Sequence, residues 1–407
     1  FFESCPGHVG SRDTMKLVDL RDKDDDWDYD DACVEIRDGF RWILPYYKEH
    51  EFRVSNPQPG DTVAAVFRKK FNTARSVSKD IAKGKYRRVA IDGTDEAITD
   101  EYMPAEDGMV IRYSVHVHEP PVTADPIPIV YEDAHCIVIN KPASIPSQVS
   151  PPFYRNSVLG VLCSQERSRA GQRLKFLSII HRLDLPTSGI LMIGKNNEAV
   201  THLRQAMNGD GGSESELPTR KHYVARVKCN FPDDQITVNK RLWCKTDARR
   251  GAGEVRVRYL EDGEDPPPDH DWVKSARTMF RKIGYDAETG TSTVNCWLAT
   301  GRTHQIRVHL LSLGYPIVND PDYGWSASKK TKKSGIQECD MQKCADCGCS
   351  YIVNPLRLNM LYLHALSYGQ WEGPDGRDEP CGCPEGCGRQ DPAQGTYAFH
   401  CPPPPWL

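Results

Sequence analysis

The 407-residue chain has no long hydrophobic run. Apolar stretches such as "CIVI" and "ILMI" fall far short of the roughly 18 residues a transmembrane helix needs, and have the length of buried strands. No membrane partner is expected. An excess of charge is also missing. The formal net charge is only −4, so bulk charge points to no partner. No internal repeat stands at solenoid spacing. No segment reads as a secretory signal, so the fifteen cysteines are expected as thiols or metal ligands rather than as a disulfide framework. The chain begins at Phe1 rather than Met, which leaves a targeting segment open.

What is present reads as soluble and intracellular, with cytoplasm, nucleus and mitochondrion undivided. Hydrophobic residues make up 39% and charged residues 27%, the balance of a globular protein. The length suggests about two to three domains. Charge is distributed unevenly. "RDKDDDWDYDD" (Arg21 to Asp31) is an acidic run expected to be solvated. "RKKFNTARSVSKDIAKGKYRR" (Arg68 to Arg88) holds nine Lys/Arg against one Asp, and "KKTKK" (Lys329 to Lys333) is a second basic knot. Such stripes fit either a solvated helix face or a polyanion contact.

Four regions follow. Residues 1–40 are polar, acidic and expected to be poorly ordered. Residues 41–118 form a small basic unit with two short helices, "GDTVAAVFRKKF" and "SVSKDIAKGK", followed by strands with Asp-Gly turns. Residues 119–126, proline-punctuated, read as a linker or docking strap. A larger domain spans 127–407, with a Cys-rich insertion at 334–352. In it, "EAVTHLRQAM" puts Val200, Leu203 and Met207 on one helical face. "KHYVARVKC" alternates as a strand carrying Lys221, Tyr223, Ala225 and Val227 on one face. "STVNCWLATGRTHQIRVHLLSLG" reads as strand, turn and helix, with Thr303 as N-cap and Gly314 as stop.

Two places concentrate chemistry. "HRLDLPTSGILM" sets Arg182 and Asp184 at a turn between apolar segments. Asp-Leu-Pro-Thr-Ser-Gly makes a good turn on its own, but an arginine so close to a buried turn needs a carboxylate or phosphate partner. "ATGRTHQIRVH" gathers Arg302, His304 and Arg307 around one helix entry, where backbone N–H groups favour anions.

Together these blocks resemble the RluA-type pseudouridine synthases, RNA-modifying isomerases. "YEDAHCIVINKP" is similar to that family's first motif, "KHYVARV" to its Lys-x-Tyr motif, "TGRTHQIRVHLLSLGYPIVNDPDYG" to its third, and "LYLHALSY" with "FHCPPPPWL" to its closing strand and tail. The resemblance covers about Ile127 to Leu407, and "HVHEPPVTADPI" is similar to the eukaryotic branch. It implies an α+β fold with a mixed, largely antiparallel central sheet, flanking helices and a catalytic cleft, behind a small N-terminal RNA-binding-like unit.

It also implies roles. Asp184 maps onto the catalytic aspartate, Tyr223 onto the active-site tyrosine, and Arg302 onto the arginine that pairs with the aspartate. Arg182 maps onto the residue that fills the gap left by the flipped base, and Ile306 would be an apolar pocket wall. His181, Thr303 and Lys141 are expected on the RNA side of the same motifs. An isomerisation needs no cofactor, cosubstrate or catalytic metal. The implied partner is RNA, with tRNA the first choice and messenger or ribosomal RNA next, and the chain is expected as a monomer. An inactive RNA-binding module or chaperone of the same fold is the alternative. One departure stands out: after Lys141-Pro142 the family's Val-His-Pro stretch is replaced by "ASIPSQVSPPFYRNSV", expected to line the RNA cleft.

The cysteines crowd the C-terminal part. Cys344 and Cys347 form a Cys-x-x-Cys, and Cys381 and Cys383 belong to a second knot. The two pairs resemble the halves of a structural zinc ribbon, with reduced surface thiols as the other reading. No His-x-Glu followed by Pro-Cys-x-x-Cys occurs, which excludes the zinc deaminase pattern. A metal-dependent hydrolase built on the C-terminal Cys and His remains a third functional class.

Overall fold

The computed structural model describes residues 33–71, 77–82, 84–90, 93–170, 177–208, 220–247, 254–324, 341–352, 360–369, 387–391 and 396–407. The acidic run, the "KKTKK" knot, Cys381 and Cys383 lie outside them. The described residues divide into two units: Pro45–His118, and the segment ending at Leu44 together with Glu119–Leu407.

The smaller unit is a four-stranded antiparallel sheet in the order Tyr46–Arg53, Val110–Val117, Tyr86–Val89, Asp95–Ala97. Helices Val63–Phe71 and Val77–Ala82 match the two helices expected from the sequence. Phe52, Val63, Phe67, Ile81 and Ile111 close its core. The basic stripe is less bare than it looks in sequence. Arg68 pairs with Glu101, Lys85 with Asp80, Arg87 with Asp95, and Arg88 with Glu106.

The larger unit begins earlier than the sequence suggested. Val34–Arg37 and Phe40–Ile43 form a hairpin that continues onto Val122–Thr123, so the expected disorder is corrected for residues 33–40, while residues 1–32 lie outside the described residues. The reason is burial: Trp42 and Ile43 are buried, and the Arg37 guanidinium lies 4.0 Å over the Trp42 ring. The stretch 119–126 is likewise docked rather than a free linker. Buried Glu119 accepts the backbone N–H groups of Tyr154, Arg155 and Asn156, just before the helix Val158–Ala170.

A twelve-stranded sheet dominates this unit. Its main path runs Glu254–Leu260, Ile236–Asp247, Trp272–Asp286, Thr291–Leu298, Arg220–Lys228, Leu363–Gly369, Ser188–Gly194, Cys136–Lys141, Ile129–Glu132. Among the described residues every pairing in this sheet is antiparallel except one. Ser188–Gly194 and Leu363–Gly369 run parallel, joined at only two positions, Ser188↔His364 and Gly189↔Ala365. Gly189 is required there. Its φ is +112°, and a Cβ would stand 2.2 Å from the Ala365 carbonyl oxygen. The mixed, largely antiparallel α+β architecture expected from the resemblance is the one observed. Helix Asn197–Asn208 buries Val200, Leu203 and Met207, the face its spacing predicts. Helix Gln305–Ser312 packs through Val308 on Leu242, Val257 and Ala276 of the far strands.

Candidate active site

Asp184 sits in the turn that leads into the strand Ser188–Gly194. Its carbonyl accepts the Thr187 N–H at 3.0 Å, so the dull reading of this aspartate as a turn former is correct as far as it goes. The residues on both sides of it are gripped. Buried Ser147 Oγ accepts the Leu183 N–H at 3.0 Å and donates to the Leu183 carbonyl at 2.8 Å. On the other side the Leu185 carbonyl accepts the Ser144 N–H at 3.0 Å and faces Lys141 Nζ at 3.4 Å. Both clamps belong to the stretch that departs from the family pattern, so its residues 144 and 147 serve the aspartate turn.

Lys141 is wholly buried, and this corrects the expectation that it faces RNA. Its Nζ donates to the carbonyls of Pro142 and Ile145 at 2.8 Å each as well as reaching Leu185. Burial pushes its pKa down to about 7, against the pull of the Asp184 carboxylate. Three carbonyl acceptors match the three N–H bonds of an ammonium, which favours the charged form beyond that balance. The residue is a strut.

The cation beside Asp184 is Arg307, not Arg302. Arg307 Nη1 lies 3.4 Å from Asp184 Oδ2. The same guanidinium donates from Nε and Nη2 to both oxygens of Asp320 and from Nη2 to Asp322, each at 2.8 Å. Its side chain is 2% exposed and that of Asp320 is 0%. Burial opposes its charge, but the Asp320 hydrogen bonds and the three carboxylates outweigh it and hold its pKa above the usual arginine value. Arg302 instead donates from Nε to the Ser275 carbonyl at 3.1 Å. Gln305 organises this detour. Its Oε1 accepts the Arg302 N–H and the Thr300 hydroxyl, while Nε2 donates to the Arg277 carbonyl and Thr278 Oγ1. The helix therefore starts at Gln305 with His304 at its cap in the left-handed region (φ 55°) and no side-chain cap. Thr303, exposed, is not the N-cap that its position suggested.

His304 supplies a second neighbour for Asp184, with Nε2 at 3.6 Å from Oδ2. Its Nδ1 meets the Tyr323 hydroxyl at 2.8 Å, and that oxygen already accepts the Val257 N–H. With the phenol donating to Nδ1, the Nε2–H faces the carboxylate. Burial lowers the His304 pKa despite Asp184, so the ring is held neutral.

Tyr223 is buried on the strand Arg220–Lys228, at a bulge in its pairing with Leu363–Gly369. Its hydroxyl bonds that of Tyr368, and burial raises the pKa of both phenols, that of Tyr223 with the Asp184 charge adding to it. His181 packs edge-on against Tyr368 at 4.7 Å, and its Nε2 accepts the Met192 N–H. Burial takes its pKa down to about 3, so it is a neutral packing group within the fold rather than an RNA-side cation. Ile306 is buried in the first turn of the helix. Arg182, by contrast, is exposed.

Asp184, Tyr223, Arg307 and His304 thus converge where the two antiparallel halves of the sheet meet. A family model described as RNA pseudouridylate synthase matches residues 135–312. RNA pseudouridine synthase 7 of Oryza sativa subsp. japonica is 33% identical over 325 residues, covering 77% of this chain and 76% of that protein. The chain belongs to the RNA pseudouridylate synthase family. The resemblance read from "HRLDLPTSGILM" and its companion blocks therefore holds, and the chain is an RNA-modifying isomerase of the RluA type. Human pseudouridylate synthase RPUSD2 is 31% identical over 294 residues, 72% of this chain and 48% of that protein, so the chain spans about half of that relative. The tRNA pseudouridine(31) synthase of Saccharomyces cerevisiae is 30% identical over 315 residues, 71% of this chain and 73% of that protein. Among the described residues no helix is long and apolar enough to cross a membrane.

The synthase residues that sequence reasoning missed are Arg307 as the partner of Asp184, together with Asp320, Asp322, Tyr323, Tyr368 and Ser147. A signal for Arg307 existed. A charge between Ile306 and Val308 in a buried helix must be paired, and "NDPDYG" downstream offers two carboxylates.

Proposed function

We propose that this synthase isomerises a uridine of tRNA with Asp184 as the reacting carboxylate. The observation that carries the reading is the setting of Asp184. It is a carboxylate 29% exposed, next to a buried guanidinium already saturated by two other acids. Arg307 thus orients the carboxylate without neutralising it through proton transfer, since a guanidinium does not give up its proton.

The target base must leave its stack to reach this site, and Arg182, exposed two residues before Asp184, is the group suited to fill the gap. The N1–C1′ bond then breaks, the base turns, and C5 bonds to C1′ as the Asp184–C1′ bond breaks or the glycal regains its C2′ proton; the proton on C5 departs to solvent and N1 takes one up. Asp184 acts either by attack at C1′ or by taking the C2′ proton to give a glycal. Tyr223, kept protonated, offers an aromatic face to the base and a phenol that moves a proton only with Tyr368 as its partner. The choice of tRNA follows the yeast relative, a tRNA pseudouridine(31) synthase.

The test is tritium release from tRNA carrying [5-³H]uridine. Wild-type protein releases label, and Asp184→Asn releases none while keeping its far-UV spectrum and RNA affinity. Release by Asp184→Asn at near wild-type rate removes Asp184 from the mechanism. Release from ribosomal or messenger transcripts but not from tRNA overturns the substrate choice. Absence of release from all RNAs leaves an RNA-binding module.

A further inference from the structure

The hairpin formed by Met341–Lys343 and Ser350–Ile352 is a sheet of its own, with only two strands of three residues, paired Met341↔Ile352 to Lys343↔Ser350. None of residues 341–352 is buried. A two-stranded hairpin with no hydrophobic face is marginal in water, so burial does not supply its stability. Its loop holds three cysteines within six residues, Cys344, Cys347 and Cys349.

The loop geometry is specific. Cys344 N–H donates to the Cys349 carbonyl at 2.9 Å, and Gly348 N–H donates back to the Cys344 carbonyl at 2.9 Å. Gly348 takes φ +71°, a left-handed conformation that lets the chain reverse directly after Cys347. The reversal sets the sulfurs of Cys344 and Cys347 within 4.8 Å of each other. Two thiolates on one tetrahedral zinc, with Zn–S about 2.3 Å, stand about 3.8 Å apart, so a small rotation of either side chain closes the pair on an ion.

We propose that this hairpin is a zinc knuckle in which Cys344 and Cys347 bind one structural Zn(II), the remaining ligands coming from outside the loop. A redox pair is the other use of Cys-x-x-Cys. That use relies on a helix N-terminus to stabilise the thiolate, and among the described residues 341–352 this pair lies in a turn between two strands with no helix. Zinc meets the same need with its own charge: each thiol gives up its proton on binding, and the metal then ties the two ends of the turn together. Soft sulfur ligands and a purely structural setting select zinc over magnesium or calcium. The site lies apart from Asp184 in sequence and chemistry, and does not depend on the assignment of tRNA as substrate.

The experiment is metal analysis of the full chain purified without added metal or chelator, with zinc K-edge absorption on the same sample. One zinc per chain and a sulfur shell at about 2.3 Å are expected. Cys344→Ser and Cys347→Ser are each expected to lose the ion, and Cys229→Ser, at an exposed cysteine elsewhere, to keep it. Zinc-free protein overturns the proposal, as does zinc held only by nitrogen and oxygen, or zinc retained by both serine variants. Iron with visible charge-transfer absorption overturns the identity of the metal. A Cys344–Cys347 disulfide in the non-reduced peptide map overturns the knuckle itself. Because the wild-type measurements stand alone, misfolding of a variant does not rescue the proposal.

Discussion

Replacing Arg307 by Gln should damage this enzyme in two separable ways, and replacing Arg302 should do neither. The first effect is on catalysis. At 3.4 Å, with an effective dielectric of roughly 20, the Arg307–Asp184 attraction is about 5 kcal/mol. Asp184 is 29% exposed, and water screening reduces the usable part to about 2–3 kcal/mol. Lost from the transition state, that is a fall of ~30–150-fold in kcat/KM. The second effect is on folding. Asp320 has no exposed side-chain surface and loses a bidentate partner, which costs about 3–5 kcal/mol. Arg307→Lys keeps the charge but not the fork, so it should recover part of the activity and little of the stability. Arg302→Gln should cost at most about 0.5 kcal/mol in stability. Urea unfolding followed by far-UV circular dichroism reads the stability arm, and tritium release at conditions where every variant is folded reads the catalytic arm. The reasoning fails if Arg307→Gln stays within threefold of wild type, or if Arg302→Gln loses kcat as deeply with KM unmoved.

Two other outcomes follow from the same geometry. Ser147→Ala removes the hydroxyl that serves both the N–H and the carbonyl of Leu183. It should destabilise the chain by about 2–4 kcal/mol and lower kcat more than it raises KM, measured by the same pair of assays. Acid should unfold the larger unit through its neutral histidines. Burial takes His181 down to about 3 and both His309 and His364 to about 4, below their unfolded value near 6.5. Their contribution is complete above pH 6.5 and is lost as pH falls towards 4, because the unfolded chain gains protons that the native one refuses. The combined slope is about 4 kcal/mol per pH unit. Unfolding free energies that are flat between pH 7 and 5 would falsify this account.

Much of the architecture was legible because it is periodic. Val200, Leu203 and Met207 had to share a helix face, and the alternation of "KHYVARVKC" had to be a strand. Asp184 was legible as a residue that both turns the chain and carries a charge. Arg302 misled because adjacency to a helix start suggested an anion site, whereas the pairing was settled by burial and by carboxylates downstream. Thr303 looked like a cap, but buried Gln305 satisfies the loop from inside and leaves His304 in the left-handed region. Lys141 looked like a cation for RNA because a side chain folding back on the carbonyls of Pro142 and Ile145, and reaching Leu185, leaves no pattern in the sequence. The hairpin at 34–43 was hidden by the acidic residues before it, since its partner strand lies some eighty residues later. Most of these misses depend on tertiary contacts, such as Lys141 with Leu185 and Gln305 with Arg277, which neither propensity nor periodicity encodes.

Among the described residues the one parallel seam joins parts of the chain that are made far apart in time. Ser188 and His364, bonded across it, are separated by 176 residues. Tyr368, which holds the hydroxyl of Tyr223, comes from the same late strand. A chain emerging from the ribosome carries Asp184, Tyr223 and Arg307 long before it has the strand that aligns them. The Tyr223–Tyr368 contact therefore closes only once residue 368 has been made, so a chain that stops before the strand Leu363–Gly369 lacks it.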